Sequence, residues 1–370
     1  MPTEVPLNSR VLFQAEIEAM GGAERSLLAL SQWLWKQGKA HHLVTYVDHV
    51  GIASHVDYPL TVVQLNPQMS AVKKVAAMRR YFADRPEQPA PLMSGYQGAM
   101  HAALAGITES HCLMHDTPDL FEDEAGLSAK QRMRRWVSDQ IVGYGLRSGG
   151  RTIVTSEHLR ERSRILYGVE ADIARMGGLT DASAFHVRPV EGTLRLLSVS
   201  RVEANKRIDW MLRALAALER DAQPLSSRVN WTLDLAGRGS QMEAMQQLAA
   251  SLGLDERVRF LGYVSDAELE VLYDKAHLFL MPAVQGYGIP AIEALSRGLP
   301  VLLHRESGVS DILLTTPWAT VIEGGEANML PGLRKAIDAA IKGVALRSPL
   351  PSLPTEDGWA ERVATLCSWV

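Results

Sequence analysis

Gln285 and Glu293 are separated by seven residues in the stretch from Met281 to Pro300, which reads MPAVQGYGIPAIEALSRGLP. Between them Gly286 and Gly288 let the backbone approach a ligand closely. Pro290 falls where the first turn of a helix accepts a residue without an N–H. Amides at such a helix start favour an anion, and a carboxylate one turn inside the helix suits a pair of sugar hydroxyls. Anion and polyol side by side describe a nucleotide diphosphate sugar better than a plain nucleotide. The same residues also admit a plainer reading, a strand, turn and helix punctuated by Gly and Pro for packing alone.

A second set is Ser200-Arg201-Val202-Glu203-Ala204-Asn205-Lys206-Arg207. Arg201 and Lys206 bracket a loop at the C-terminal end of a strand, where open α/β sheets bind ligands, and they can converge on one diphosphate. Fixed cations and helix-start amides stabilise a departing diphosphate more in the transition state than in the ground state, and they need no metal for it. No Asp-x-Asp motif occurs, and Glu122-Asp123-Glu124 is an acidic run of another kind. His111 and His115 have a spacing that suits a metal on a helix; on a strand, with no further Cys or His cluster, it does not. Gly21 and Gly22 before a helix can let a phosphate approach or can simply turn the chain, and Gly237 and Gly239 read first as turn chemistry.

These residues need strands and helices in alternation to hold them. In the first half strands are expected at Arg10 to Phe13, His42 to Val47, Thr61 to Leu65 and His111 to His115, with Ser94 to Leu104 a strand end and a glycine turn opening a helix. Arg151 to Thr155 reads as the last strand of that half and Glu157 to Tyr167 as its closing helix. Ala23 to Gln37 repeats Leu27, Leu28, Leu30 and Leu34 at helical spacing. After a connection with little periodicity the alternation restarts. Strands at Leu194 to Ser200, Trp231 to Ala236, Val258 to Leu261 and His277 to Met281 interleave with helices Ile208 to Arg220, Met242 to Ser251 and Asp266 to Lys275. Such alternation argues for parallel sheets covered on both faces. The expected domains are residues 1–170, a linker over 171–192, a second domain over 193–347, and a closing helix over 355–370.

Gln285 to Glu293, followed by ALSRGLPVL, resembles the E-x7-E element of retaining glycosyltransferases of the GT-B fold, family 4, the glycosyl transferases group 1. The likeness is specific in GYGIP, Glu293 and RGLPVL, and departs at the first acidic position, which is Gln285. The fold it implies is α/β, with two facing Rossmann-like domains, the first binding acceptor and the second nucleotide sugar, and a C-terminal helix crossing back to the first domain. By the same resemblance Arg201 and Lys206 grip the donor pyrophosphate, and Gly21 and Gly22 lie against the donor phosphates. His115 faces the donor sugar, and Glu293 takes the ribose hydroxyls. Gly286, Tyr287, Gly288 and Ile289 contact sugar and phosphate through backbone, and Tyr263 and Val264 hold the base. Gln285 cannot be a carboxylate nucleophile, so in a retaining reaction the acceptor hydroxyl attacks from the leaving-group side while the Gln285 amide orients the sugar. Met176-Gly177-Gly178-Leu179 stands where the family carries an Asn-Gly-Val-Asp-like turn.

Length and composition bound this reading. At 370 residues the chain is comfortable for two domains. A net charge of -4 gives no global attraction to nucleic acid. The two cysteines, Cys112 and Cys367, do not make a disulfide framework and fit a reducing compartment. No apolar run approaches the roughly 20 residues that span a bilayer, and MPTEVPLNSR lacks a signal peptide's apolar core, so a cytoplasmic protein is expected. Two stretches are basic. Ala71 to Phe82 carries Lys73, Lys74, Arg79 and Arg80. Ser128 to Arg151 carries Lys130, Arg132, Arg134, Arg135, Arg147 and Arg151 with Trp136 and Tyr144 among them. They read either as solvated helix faces or as a patch at the inner face of an anionic membrane. The expected activity is transfer of a hexose from a UDP- or GDP-sugar to a glycan or lipid-linked acceptor, with no cofactor and no metal. The alternatives are a degenerate subunit that binds nucleotide sugar without turnover, and a nucleotide-sugar epimerase.

Overall fold

The computed structural model describes residues 8–65, 70–117, 128–177 and 185–370. The chain divides into two units, Met1–Gly177 with Pro354–Val370, and Gly178–Leu353.

In the first unit the chain runs β1 (Arg10–Ile17), α1 (Gly22–Lys36), β2 (His41–Asp48), β3 (Val62–Gln64), α2 (Ala71–Ala83), β4 (Leu92–Ser94), α3 (Gly95–Ala105), β5 (His111–Met114), α4 (Ala129–Ser148), β6 (Thr152–Val154), α5 (Glu157–Tyr167) and β7 (Asp172–Ile173). The strands form one parallel sheet in the order β3-β2-β1-β4-β5-β6-β7. Nearly continuous apolar runs explain why both faces are covered: in β2 every residue between its ends is buried. The Leu27, Leu30 and Leu34 stripe of α1 is fully buried.

The second unit runs β8 (Thr193–Val199), α6 (Ile208–Glu219), the short α7 (Leu225–Arg228), β9 (Asn230–Ala236), α8 (Met242–Ser251), β10 (Val258–Gly262), α9 (Asp266–Lys275), β11 (Leu278–Met281), α10 (Ile289–Ser296), β12 (Val301–His304), β13 (Ala319–Ile322) and α11 (Met329–Ile341). Its parallel sheet has the order β10-β9-β8-β11-β12-β13. The last helix, α12 (Glu356–Leu366), belongs to the first unit and buries Trp359, Ala360 and Val363 there against α1. Beside it Arg10 Nη2 donates to the Trp369 carbonyl at 2.8 Å.

Both sheets reverse their strand order once, between β1 and β4 and between β8 and β11. Loops at the C-terminal ends of the strands flanking such a reversal form the ligand crevice of doubly wound sheets. Two expectations change. Arg151 to Thr155 does not contain the last strand of the first half, because β7 follows, pairing Asp172 with Ile153 and Ile173 with Val154. The connection assigned to 171–192 therefore starts inside the first sheet. Two residues are too short to show a period, and what fixes β7 is burial of the neighbouring Ala171, Ala174 and Met176. The first strand also runs on to Ile17, past Phe13. Glu122-Asp123-Glu124, Gly178 and Leu179 lie outside the described residues.

Candidate functional site

The loop after β8 is held from two sides. On one side the β9–α8 loop presses against it, because Gly237 adopts φ 135 and a Cβ there would lie 1.8 Å from the Ser200 carbonyl oxygen. At Gly239 a Cβ would meet the Val202 oxygen at 2.2 Å. The contact is closed by Val202 N donating to Arg238 O at 2.9 Å and Gln241 N to Val202 O at 3.0 Å. The Glu203 carboxylate accepts from Ser240 Oγ at 2.6 Å and from Ser240 N at 3.0 Å. Those bonds to Ser240, with Arg201 nearby, hold its carboxyl below the usual range. Gly237 and Gly239 are thus more than turn residues: they let two loops meet backbone to backbone.

On the other side the same loop is joined to the one after β11. Val284 N donates to Asn205 O at 2.8 Å, and Asn205 Nδ2 donates to Val284 O at 3.0 Å. Lys206 ends a short 3-10 turn with 9% exposure, and its Nζ donates to Gln285 Oε1 at 2.6 Å. The amide of Gln285 points its Nε2 at Met281 Sδ, 3.1 Å away, and at Ser307 Oγ, 3.3 Å away. Arg201 stands exposed on the same loop. Next to Lys206, Arg207 takes the left-handed backbone at φ 52, its guanidinium bonded to Glu306 at 2.6 Å and stacked 4.3 Å from the Trp210 ring centre.

Gly286 and Tyr287 are buried and lead into α10, whose N-cap Gly288 sits at φ 124 before Ile289 and Pro290. A Cβ on Gly288 would lie 2.6 Å from Gln285 Nε2. Glu293 is 6% exposed, and its Oε2 accepts from the Tyr273 hydroxyl at 3.0 Å. Burial, then the Glu293 charge, push that phenol well above its ordinary range, so it stays a donor. Tyr263 follows β10 with 71% exposure and the Arg238 guanidinium 5.7 Å from its ring centre, and Val264 is half-buried beside it.

In the first unit Gly21 caps α1, and its N–H donates to Glu24 Oε2 at 3.1 Å, with Gly22 as the first helical residue. His115 lies one residue past β5. Burial pushes its imidazole down to about 4, so the ring is neutral near pH 7. His111 sits at the other end of the same strand, where its Nδ1 accepts from Arg151 N at 3.0 Å. The two rings are therefore not a ligand pair. Among the described residues no three His, Cys, Asp or Glu side chains gather as a metal-holding group.

The structure brings together Lys206 with Gln285, the Gly286 to Ile289 turn with the start of α10, and Tyr263 with Arg238. It leaves Gly21, Gly22 and His115 at the C-terminal edge of the first unit's own sheet. The sequence reading missed Ser307, Tyr273 and Arg238. Ser307 is fully buried and forms a bridge with Gln285, yet it lies a helix and a strand further along the chain, where no spacing announces it.

Residues 181–337 match the family described as glycosyl transferases group 1. Over 119 residues the chain is 31% identical to O-antigen chain mannosyltransferase B of Escherichia coli, covering 32% of this chain and 30% of that protein. Over 143 residues it is 29% identical to the GDP-mannose-dependent alpha-(1-6)-phosphatidylinositol monomannoside mannosyltransferase of Mycolicibacterium smegmatis, covering 36% of each. The chain thus spans about a third of the length of these curated relatives. Anabaena HepE in complex with UDP-glucose has the same fold, with a TM-score of 0.72 at 16% identity over 98% of this chain and 100% of that one. The two parallel Rossmann-like sheets are those of GT-B glycosyltransferases. Residues 181–337, which carry Lys206, Gln285 and Glu293 alike, are thus the part of this chain that is similar to the glycosyl transferases group 1 family.

Proposed function

We propose that this protein is a metal-independent, retaining glycosyltransferase that moves a hexose from a UDP- or GDP-sugar to a glycan or lipid-linked acceptor, as in surface polysaccharide or glycolipid synthesis. The observation that carries the reading is the 2.6 Å bond between Lys206 Nζ and Gln285 Oε1, which fixes a cation at the strand-order reversal of the second sheet. The names of the relatives support the donor class, since one is GDP-mannose-dependent and a structural neighbour holds UDP-glucose.

In this reading the diphosphate lies against Lys206, Arg201 and the amides that open α10. Gly286, Tyr287, Gly288 and Ile289 touch sugar and phosphate through backbone. Glu293, oriented by Tyr273, takes ribose hydroxyls, and Tyr263 with Val264 holds the base. The family resemblance assigns Gly21, Gly22 and His115 of the first unit to the donor as well, His115 through a neutral imidazole that can donate or accept a hydrogen bond. The acceptor oxygen attacks the anomeric carbon on the side the diphosphate leaves. The carbon–oxygen bond to phosphate breaks, and the acceptor's proton passes to the departing phosphate. Gln285 holds no carboxylate and takes no part as a nucleophile. An anionic membrane surface is the further partner, through α2 and α4.

Incubation with UDP-, GDP- and ADP-sugars and a mixed glycan acceptor, with and without EDTA, tests this. Transfer with retained anomeric configuration, unchanged by EDTA, is expected. Binding without turnover would make the chain a non-catalytic sugar-nucleotide binder, interconversion of free donor sugars would make it an epimerase, and loss with EDTA would end metal independence.

A further inference from the structure

Both ends of the Gln285 amide are occupied. Its oxygen accepts from Lys206 Nζ at 2.6 Å. Its nitrogen faces Ser307 Oγ at 3.3 Å and Met281 Sδ at 3.1 Å. The Ser307 hydroxyl, 0% exposed, gives its own proton to the Tyr287 carbonyl at 3.0 Å. A hydroxyl has one proton, so toward position 285 Ser307 can only accept, and a thioether sulfur only accepts as well. One donor on one side and two acceptors on the other match a carboxamide and no carboxylate. A carboxylate there would set lone pairs against the sulfur and the hydroxyl, or draw the Ser307 proton away from Tyr287. The backbone is shaped for the same group, since any Cβ at position 288 would lie 2.6 Å from Nε2 and 3.1 Å from Ser307 Oγ. Two backbone bonds, Gln285 N to Glu306 O at 3.2 Å and Gly308 N to Gln285 O at 3.1 Å, keep the two segments in register.

We propose that Ser307 and Met281 make position 285 selective for a carboxamide, and that Gln285 thereby anchors Lys206 without adding a negative charge beside the diphosphate. Gln285 is the specificity-determining residue and Ser307 its positioning residue. The ligand class is a nucleoside diphosphate, so the inference rests on the donor-site reading above. A carboxylate at 285 would bring a negative charge to hydrogen-bond distance of the ammonium that faces the leaving group, and would weaken binding of an anion there.

The test is calorimetric titration of UDP, GDP and their parent nucleosides into the full chain, as wild type, Gln285→Glu, Ser307→Ala, Ser307→Cys and the double variant combining Gln285→Glu with Ser307→Ala. Gln285→Glu is expected to weaken nucleoside diphosphate binding by about tenfold, or roughly 1.4 kcal/mol, and to leave nucleoside binding unchanged. Ser307→Ala is expected to weaken diphosphate binding when introduced into wild type and not when introduced into the Gln285→Glu variant, with Ser307→Cys intermediate because sulfur still accepts. Equal or tighter diphosphate binding by Gln285→Glu, a parallel loss for nucleosides, or additive effects at 285 and 307 would each overturn the inference while leaving the donor site standing. Failure of wild type to bind either diphosphate would instead remove the donor site itself, and this inference with it.

Discussion

Lys206 joins stability and chemistry in one side chain. A nine-tenths buried ammonium is tolerated only when it is hydrogen-bonded, and Gln285 supplies that bond. In the proposed reading a diphosphate would meet a cation whose position is already fixed, which is the condition under which charge stabilisation is worth most in a transition state. Lys206→Ala is expected to lower kcat/KM by about a hundred- to a thousandfold, some 3 to 4 kcal/mol. Arg201→Ala should act in the same direction, and steady-state kinetics with saturating acceptor would measure both. Turnover like that of wild type in both variants would take these cations out of the leaving-group site. Arg207, next in the chain, holds a left-handed backbone that disfavours side chains by roughly 1 to 2 kcal/mol. Its bond to Glu306 and its stacking on Trp210 offset that, so the loop is held where Lys206 needs it. The residue types were readable in sequence: a cation pair after a strand, two glycines before Pro290, a carboxylate inside a helix. Ser307 was not, because a serine that orients an amide from a distant loop has no periodicity and no motif of its own.

The elements carry the site by where their loops touch. Gly237 is the clearest case, since its backbone at φ 135 and the Ser200 oxygen leave no room for a side chain. Gly237→Ala must move the backbone of one loop or the other. We expect it to destabilise the second unit by about 3 kcal/mol or more and to weaken nucleotide binding even where the variant stays folded. Thermal melts with and without UDP or GDP would show it, and an unchanged melt would mean the two loops are not in contact. The helices and strands themselves were largely legible, with α5, α8 and α9 falling at the expected residues. Apolar spacing reports one element at a time, and that is enough for a doubly wound sheet. It does not report contacts between loops, so Gly237 and Gly239 read as turns, and it does not register a two-residue strand such as β7.

For the whole molecule, the basic stretches are less uniform than their composition. Lys74 is paired with Glu16, Arg79 with the Ala105 carbonyl, Arg147 with the Tyr167 carbonyl, and Arg151 with Asp172. Lys73, Arg80, Lys130 and Arg134 are exposed, and so are Val72 at 79%, Met133 at 62%, Trp136 at 59% and Tyr144 at 61%. Exposed cations with aromatic and apolar side chains between them suit a lipid surface, at about 1 kcal/mol per basic residue near anionic headgroups. Among the described residues no helix is long and apolar enough to cross a membrane. Flotation is expected to recover the protein with anionic vesicles and not with neutral ones, and Lys130→Glu with Arg134→Glu should abolish the difference. Equal recovery on both vesicle types would remove the membrane surface as a partner.

The return of α12 to the first unit has one more consequence. Gly177 lies so close to Thr355 and Glu356 that a Cβ on it would come within 2.3 Å of their backbone. The chain thus leaves the first unit and re-enters it at a single spot, which makes the second unit an insertion spliced into the first. A protease cut at either passage would leave the two pieces tethered by the other, and a fragment stopped at residue 177 would lack the helix that covers α1.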